Sequence, residues 1–150
     1  DVDWIARPVG KLPLVLAASP AYLQRYGAPR SIEELKAASH VRYMLSGLPF
    51  PITFANGAVI SPDGALDADS GSALRVAALN GVGIAQLLRA AIEGDLVEKR
   101  LVIVLPEEPL PPAPLQVLHA FGRFPPLRVR LFADFIAERI TECAAGGVSS

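Results

Sequence analysis

The sequence predicts an α/β fold, because short apolar runs that suit strands alternate with capped segments that suit helices. The first apolar run, residues 9–18, is continuous, as expected of a strand that is buried on both faces of a sheet. The stretches between the runs are long enough for the crossover connections that a parallel sheet requires.

Composition excludes several classes of protein. The chain of 150 residues suffices for one domain, and a composition of 51% hydrophobic against 19% charged residues excludes a disordered chain. A formal net charge of -1 gives no general positive field to attract nucleic acid. With one cysteine and two histidines, the chain has no disulfide framework, and we expect no metal, no cofactor and no catalytic residue.

The apolar content does not predict a membrane protein. Prolines and glycines interrupt the longest uncharged run, residues 43–62, so it is unsuited to a spanning helix. No signal peptide is visible at the start of the chain. We therefore expect no membrane association and a cytoplasmic location.

The first predicted strand leads directly into a helix. The strand over residues 9–18 ends at Ser19, and the helix is predicted over residues 20–27. Ser19 supplies the N-cap, Pro20 suits the first turn and Gly27 suits the C-terminal stop. This order of strand and helix is the repeating unit of the predicted fold.

A second helix is predicted to begin at Ser31, which forms a capping box with Glu34. His40 opens the strand over residues 41–44, and we expect it to cap carbonyls of the preceding helix rather than to bind a metal. The Asn-Gly pair at residues 56–57 predicts a hairpin turn. The remaining strands are predicted over residues 50–54, 58–60, 66–68, 83–87, 101–105 and 115–121, and the remaining helices over residues 73–79, 88–92 and 129–143.

Glycines mark the ends of two of these helices. The Gly-Val-Gly sequence at residues 81–83 follows the helix over residues 73–79, and we interpret it as a structural turn rather than a phosphate loop. Gly94 is predicted to close the helix over residues 88–92. Cys143 lies near the end of the last helix, where packing is favoured over catalysis because no base can be placed beside it.

A few polar residues are candidates for a binding site. The Ser-Gly-Ser sequence at residues 70–72 opens a helix, whose free N–H groups attract anions, although plain N-capping is an alternative. Arg7 is able to bind an acidic ligand through its planar fork, with simple surface placement as the alternative. We interpret Asp67 and Asp69 as a solvated strand end rather than a catalytic pair, and His119 as a structural histidine in an apolar strand.

Three stretches in fixed order resemble one protein family. They read ARPVGKLPLVLAASPAYL over residues 6–23, ALRVAALNGVGIA over residues 73–85 and RVRLFADFI over residues 128–136. Together they resemble the effector-sensing domain of LysR-type transcriptional regulators, and the resemblance covers nearly the whole chain. The family's sensor is similar to the type II periplasmic binding proteins, in which two Rossmann-like α/β lobes face each other across a cleft.

The resemblance implies how the chain is divided. Residues 21–118 would form a largely complete lobe two, and residues 1–20 and 119–150 would be remnants of lobe one. The family's winged helix-turn-helix module has no counterpart in this chain, so we expect DNA to be bound only through that absent module. We also expect a homodimer or a larger homo-oligomer. A small metabolite, for which an organic acid is one candidate, would bind between the lobes.

The resemblance also implies an effector site. A helix start would donate N–H and hydroxyl groups, a strand end would line the cleft, and an arginine of lobe one would pair with a carboxylate. The residues concerned are Asp69, Ser70, Gly71 and Ser72 at the helix start, Leu45, Ser46 and Gly47 at the strand end, and Arg7. Three alternatives stay open: a periplasmic-type solute-binding protein of the same fold, a ligand-free interaction module, and an enzyme on an α/β scaffold.

Overall fold

The computed structural model describes the backbone of residues 4–146 and the side chains of residues 4–143. Residues 1–3 and 147–150, which form the outer ends of the predicted lobe-one segments, lie outside the described residues. In the described part, no helix is long and apolar enough to cross a membrane. No group of three potential metal ligands comes together there either.

Helices and strands alternate along the chain, which confirms the predicted α/β class. In chain order the elements are β1 (Ile5–Leu12), β2 (Leu14–Ala18), α1 (Pro20–Tyr26), α2 (Ile32–Ala37), β3 (His40–Leu45), β4 (Leu48–Pro49), β5 (Ile52–Thr53), β6 (Val59–Ile60), β7 (Gly64–Ala68), α3 (Gly71–Leu79), β8 (Ile84–Leu88), α4 (Arg89–Val97), β9 (Val102–Ile103), β10 (Ala113–His119) and α5 (Leu127–Gly146).

Contacts divide the chain into two compact units. The terminal unit combines Asp1–Pro13 with Pro112–Ser150, and the central unit is Leu14–Pro111. The division into lobes that the family resemblance implies, with residues 21–118 as lobe two, stays a prediction. Each unit contains its own sheet, and the two are described separately below.

The terminal unit consists of a two-stranded sheet and a long helix. β1 and β10 pair antiparallel from Ile5 opposite His119 to Leu12 opposite Ala113. Helix α5 packs against β1, and Gly10 permits the close approach, because a Cβ at this position would lie 2.6 Å from Ile140 Cγ2.

The central unit contains a mixed six-stranded sheet in the order β4-β3-β8-β2-β9, with β7 also paired to β3. Successive residues of β2 point to opposite faces: Leu16 and Ala18 enter one apolar cluster, whereas Ala17 enters the other. The first cluster also contains Phe54, and the second contains Leu74 of α3. The sheet is thus covered on both faces, as the continuous apolar run predicted.

The predicted strand over residues 9–18 is wrong as a single element. It is divided at Pro13 into the end of β1 and the whole of β2, which belong to different sheets. Proline has no backbone N–H to give to a ladder, so the break falls where the chain passes from one unit to the other.

The predicted end of α4 at Gly94 is also wrong, since the helix continues to Val97. Asp95, which follows Gly94, is only 1% exposed and forms ion pairs with two arginines. Arg75 Nη2 and Arg100 Nη2 both lie 2.8 Å from its Oδ1 atom. The pair with Arg75, which spans 20 residues, and the pair with Arg100 fix the last turn of the helix and override the local preference of glycine. They also hold the pKa of Asp95 below its usual value, with the Arg75 hydrogen bond as the main cause.

The first half of β1 and the short strand β4 were not predicted, and the remaining elements agree with the predictions except for shifts of a few residues at their ends. Ser19 Oγ caps α1 by accepting from the Tyr22 N–H at 3.2 Å, and Ser31 Oγ caps α2 by accepting from the Glu34 N–H at 3.1 Å. The predicted capping box differs in one detail. The Glu34 carboxylate accepts from the N–H of Arg30 rather than from that of Ser31.

Candidate functional site

Two strands of the central unit end side by side at one edge of its sheet. β3 and β7 are parallel, with Arg42 opposite Asp67 and Tyr43 opposite Ala68. The chain therefore leaves both strands at the same edge. This register brings seven of the eight predicted site residues to that edge: Leu45, Ser46, Gly47, Asp69, Ser70, Gly71 and Ser72.

The segment after β3 is a tight hairpin turn, which the sequence analysis missed. Ser46 and Gly47 both have positive φ values, 52° and 79°, and Leu45 pairs with Leu48 across them. A two-residue loop with two positive φ values is a type I′ turn, which is typical of hairpins. In the sequence, the Ser-Gly pair between two leucines is the signal from which this turn could have been predicted.

The start of α3 is exposed and its cap is incomplete. Ser70 occupies the N-cap position, but its side chain makes no capping hydrogen bond, in contrast to Ser19 and Ser31. Asp69, Gly71 and Ser72 are exposed as well. The first turn therefore presents N–H groups that the Ser70 hydroxyl does not satisfy, together with hydroxyl groups that are free to turn outward. Capping by the Ser70 side chain, the alternative noted for this sequence, is not what the structure contains.

A bidentate ion pair crosses β3 and β7 beside this edge. Arg42 Nε and Nη2 donate to the two carboxylate oxygens of Asp67 at 2.7 and 2.8 Å. The Arg42 hydrogen bonds hold the pKa of Asp67 below its usual value. Gly64 leaves room for the pair, because a Cβ there would collide with Arg42 Nε. Asp67 is thus paired rather than merely solvated, a pairing that required the strand register to be known.

The predicted cationic residue, Arg7, lies on β1 in the terminal unit and already has a partner. Its Nη2 donates to a carboxylate oxygen of Asp134 on α5, and its Nη1 lies 3.4 Å from the carbonyl oxygen of Arg130. The Arg7 side chain is 40% exposed, so a second anion can still approach it. Its role toward a ligand stays a prediction.

Both histidines have structural partners. His40 Nε2 lies 2.7 Å from the carbonyl oxygen of Leu35 in α2, which confirms the predicted capping role. Burial lowers the pKa of His40 below its usual value, and the hydrogen bond to Leu35 opposes this only in part. His119 is buried, and its Nδ1 accepts from the Phe121 N–H at 3.4 Å.

The cavity beside His40 has a volume of about 20 Å³, which suits about one water molecule and no metabolite.

Comparison with known proteins gives a consistent result. The family model described as LysR substrate binding domain matches residues 1–141. The chain is 36% identical over 138 residues to the HTH-type transcriptional regulator YhjC of Escherichia coli, and the match covers 89% of this chain and 46% of that protein. The chain spans about half the length of the curated relatives that it matches.

Solved structures of related proteins have the same fold. The regulatory domain of CrgA, a LysR-type transcriptional regulator from Neisseria meningitidis, is 30% identical, with a TM-score of 0.74 over 93% of this chain and 70% of that one. The full-length virulence activator AphB of Vibrio cholerae is 28% identical, with a TM-score of 0.71 over 93% of this chain and 49% of that one.

Proposed function

The chain belongs to the LysR substrate-binding domain family, and on this premise we propose that it senses a small metabolite that binds between two lobes. In the whole protein, the conformational change caused by ligand binding would be transmitted to a winged helix-turn-helix module that contacts DNA. The chain makes and breaks no covalent bond in this account, and the protein works in the cytoplasm. We also propose that the whole regulator is a homo-oligomer, whose paired modules meet paired half-sites on DNA.

One observation carries the proposal for the site. The parallel register of β3 and β7 brings the type I′ turn at residues 46–47 and the exposed start of α3 to one sheet edge. In open α/β sheets, ligands bind in the crevice outside the carboxyl ends of the strands, which is where this edge lies. The uncapped N–H groups supply donors there, and Ser70 and Ser72 supply hydroxyl groups.

The donor set favours an effector with acceptor oxygens, such as the carboxylate of an organic acid. Helix N–H groups and a guanidinium group both bind carboxylates well. Asp69 opposes the binding of a carboxylate, because its negative charge lies directly before the Ser70 N-cap. We expect Asp69→Asn to tighten the binding of an anionic effector several-fold and to leave the binding of a neutral one unchanged, as measured by calorimetric titration.

The ligand has to distinguish two arrangements of the protein in order to act as a signal. Binding shifts an equilibrium only by the difference in affinity for the two states. A coupling of about 1–3 kcal/mol corresponds to a 5–150-fold change in affinity, and this is the range that we expect between effector and operator DNA.

Alanine substitutions at the start of α3 test this site. In the full-length protein, Ser70→Ala and Ser72→Ala should weaken the effector response of a reporter promoter. Ser31→Ala is the matched control, because Ser31 caps α2 and belongs to no predicted site. An unchanged response in both Ser70→Ala and Ser72→Ala would contradict the assignment of the helix start.

A second pair of variants tests Arg7. If Arg7 binds the carboxylate of the effector, Arg7→Ala weakens binding, whereas Asp134→Ala keeps or strengthens it by releasing the arginine. If Arg7 acts only through its ion pair, both variants behave alike. Equal effects in a binding titration would therefore exclude the proposed role of Arg7.

A further inference from the structure

A buried carboxylate in the central unit connects helices α3 and α4. Asp95 lies in the last turn of α4 and is 1% exposed. Its two carboxylate oxygens accept from Nε and Nη2 of Arg75 in α3, so the pair is bidentate. Leu74 of α3 and Ile92 of α4 enter the same apolar cluster. The ion pair therefore joins two helices that pack on the same face of the sheet.

Asp95 is itself held in place by its neighbours along the chain. Its carbonyl oxygen accepts from the N–H groups of Arg100 and Leu101, at 2.8 and 3.2 Å. The Arg100 side chain forms an ion pair with Asp95 Oδ1 at 2.8 Å and another with Glu98 Oε2 at 2.9 Å. Asp95 is thus a fixed point to which α3 is attached through Arg75.

The attachment lies close to the start of α3. Arg75 follows Gly71 by four residues and Ser72 by three, so the three residues lie on one side of the helix. No described residue supplies a side-chain cap to this helix. Its first turn is therefore held in place by contacts made further along the helix, among them the hydrogen bonds of Arg75.

A bidentate arginine contact fixes more than a distance. Two parallel N–H···O hydrogen bonds to one carboxylate also restrict the rotation of the helix that carries the arginine. A buried ion pair adds little stability beyond a well-packed apolar pair, so its main contribution here is this geometry.

We propose that Asp95 is a positioning residue for the effector site: through Arg75 it sets the position and rotation of the first turn of α3, and with them the direction of its N–H and hydroxyl groups. Donors that bind a ligand have to be held to within about 0.5 Å, so a small rotation of α3 is enough to weaken binding. The inference rests on the proposed function in treating this helix start as a ligand site.

Two matched lysine variants of the full-length protein test this role. Arg75→Lys and Arg100→Lys make the same change at the same carboxylate, because lysine keeps the charge but loses the planar fork. Only the first variant alters the connection to α3. We expect Arg75→Lys to speed hydrogen–deuterium exchange of the amides of residues 74–79 at least about tenfold, and Arg100→Lys to leave it within about threefold of the original. Exchange in β2 and β8 should stay unchanged in both variants, which separates a local effect from general destabilisation.

Calorimetric titration with succinate and benzoate connects this contact to the site. We expect the affinity for whichever acid binds to fall at least about fivefold in Arg75→Lys and to stay unchanged in Arg100→Lys. If neither acid binds the unsubstituted protein, that result counts against the proposed effector class, and the exchange comparison alone decides the role of Asp95.

Unchanged exchange of α3 in Arg75→Lys would overturn the proposal. An equal increase in both lysine variants would also overturn it, because Asp95 would then not act through α3 in particular. Faster exchange of α3 with unchanged affinity for a bound acid would overturn it as well, because the helix start would then bind the acid without this contact.

Discussion

At the scale of single residues, Ser31 and Ser70 occupy the same position at a helix start but use their hydroxyl groups differently. Ser31 Oγ accepts from an N–H of α2, whereas the Ser70 side chain caps nothing. We expect Ser31→Ala to lower the free energy of unfolding by about 1 kcal/mol and Ser70→Ala to lower it by about 0.3 kcal/mol or less. Urea unfolding of both variants measures the difference. Equal losses of stability would mean that the Ser70 hydroxyl group caps α3 in solution and is not available to bind a ligand.

His40 should make stability dependent on pH. Burial lowers its folded-state pKa below the reference value of 6.5, so the unfolded chain takes up the proton first as pH falls. The free energy of unfolding should therefore be constant above about pH 7 and fall below it, by at most about 1.4 kcal/mol per pH unit for one group. Urea unfolding between pH 7.5 and about pH 5 measures this slope.

His40→Gln is the control for this pH dependence, because glutamine keeps a donor for the Leu35 carbonyl but does not titrate. The pKa values of Asp67 and Asp95 are lowered by their arginine partners. Their contributions to stability are therefore lost only below the ordinary value of 3.8, outside the pH window of the experiment. An unchanged slope in His40→Gln would show that another group is responsible.

The sequence was informative about residues whose partners are local and uninformative about the others. Ser19, Ser31 and the carbonyl cap of His40 were all predicted, because each partner lies within five residues. The pair between Arg42 and Asp67 spans 25 residues and depends on the register of β3 and β7. No local pattern specifies that register.

At the scale of elements, two glycines should respond in opposite ways to the same substitution. A Cβ at Gly83 would lie 2.7 Å from the carbonyl oxygen of Ser39, a backbone atom that cannot turn aside. Gly94 lies inside α4 and has open space around it. We expect Gly83→Ala to destabilise the protein by about 1–3 kcal/mol and Gly94→Ala to stabilise it by about 0.5–1 kcal/mol.

Thermal and urea unfolding of these two glycine variants give both signs in one experiment. If Gly83→Ala is neutral, the close approach of the segment before β8 to the start of β3 is not as tight as described. If Gly94→Ala is destabilising, α4 does not continue through this position. The second outcome would restore the helix end that the sequence predicted.

Most elements were predictable because their boundaries are set locally, by caps and turns. The two wrong element boundaries, at Pro13 and at Gly94, have a common cause. Pro13 divides an apolar run because its two halves belong to different sheets, and α4 passes Gly94 because Asp95 is held by Arg75, which lies 20 residues away in the sequence. In both cases, tertiary contacts override what neighbouring residues favour.

At the scale of the whole molecule, the α/β class and the family were accessible from sequence, whereas the site edge was not. The alternating patterns and the three family-like stretches in fixed order could be recognised without knowledge of strand pairing. The candidate site depends on β3 and β7 being neighbours, although 18 residues of irregular chain and short strands, residues 46–63, separate them. The site residues were predicted through the family resemblance, and their common edge is a result of the structure.

The most direct test of the account is ligand-dependent stabilisation of the full-length protein, measured by thermal shift against a panel of aliphatic and aromatic carboxylic acids. A ligand that binds only the folded state stabilises it by about 2.7 kcal/mol at a hundredfold excess over its dissociation constant. The account predicts a saturable shift with one class of acid, reduced in Ser70→Ala and Ser72→Ala and kept in Ser31→Ala. A saturable shift that is equally large in all three variants would contradict the proposed site, and no shift with any acid would contradict the proposed effector class.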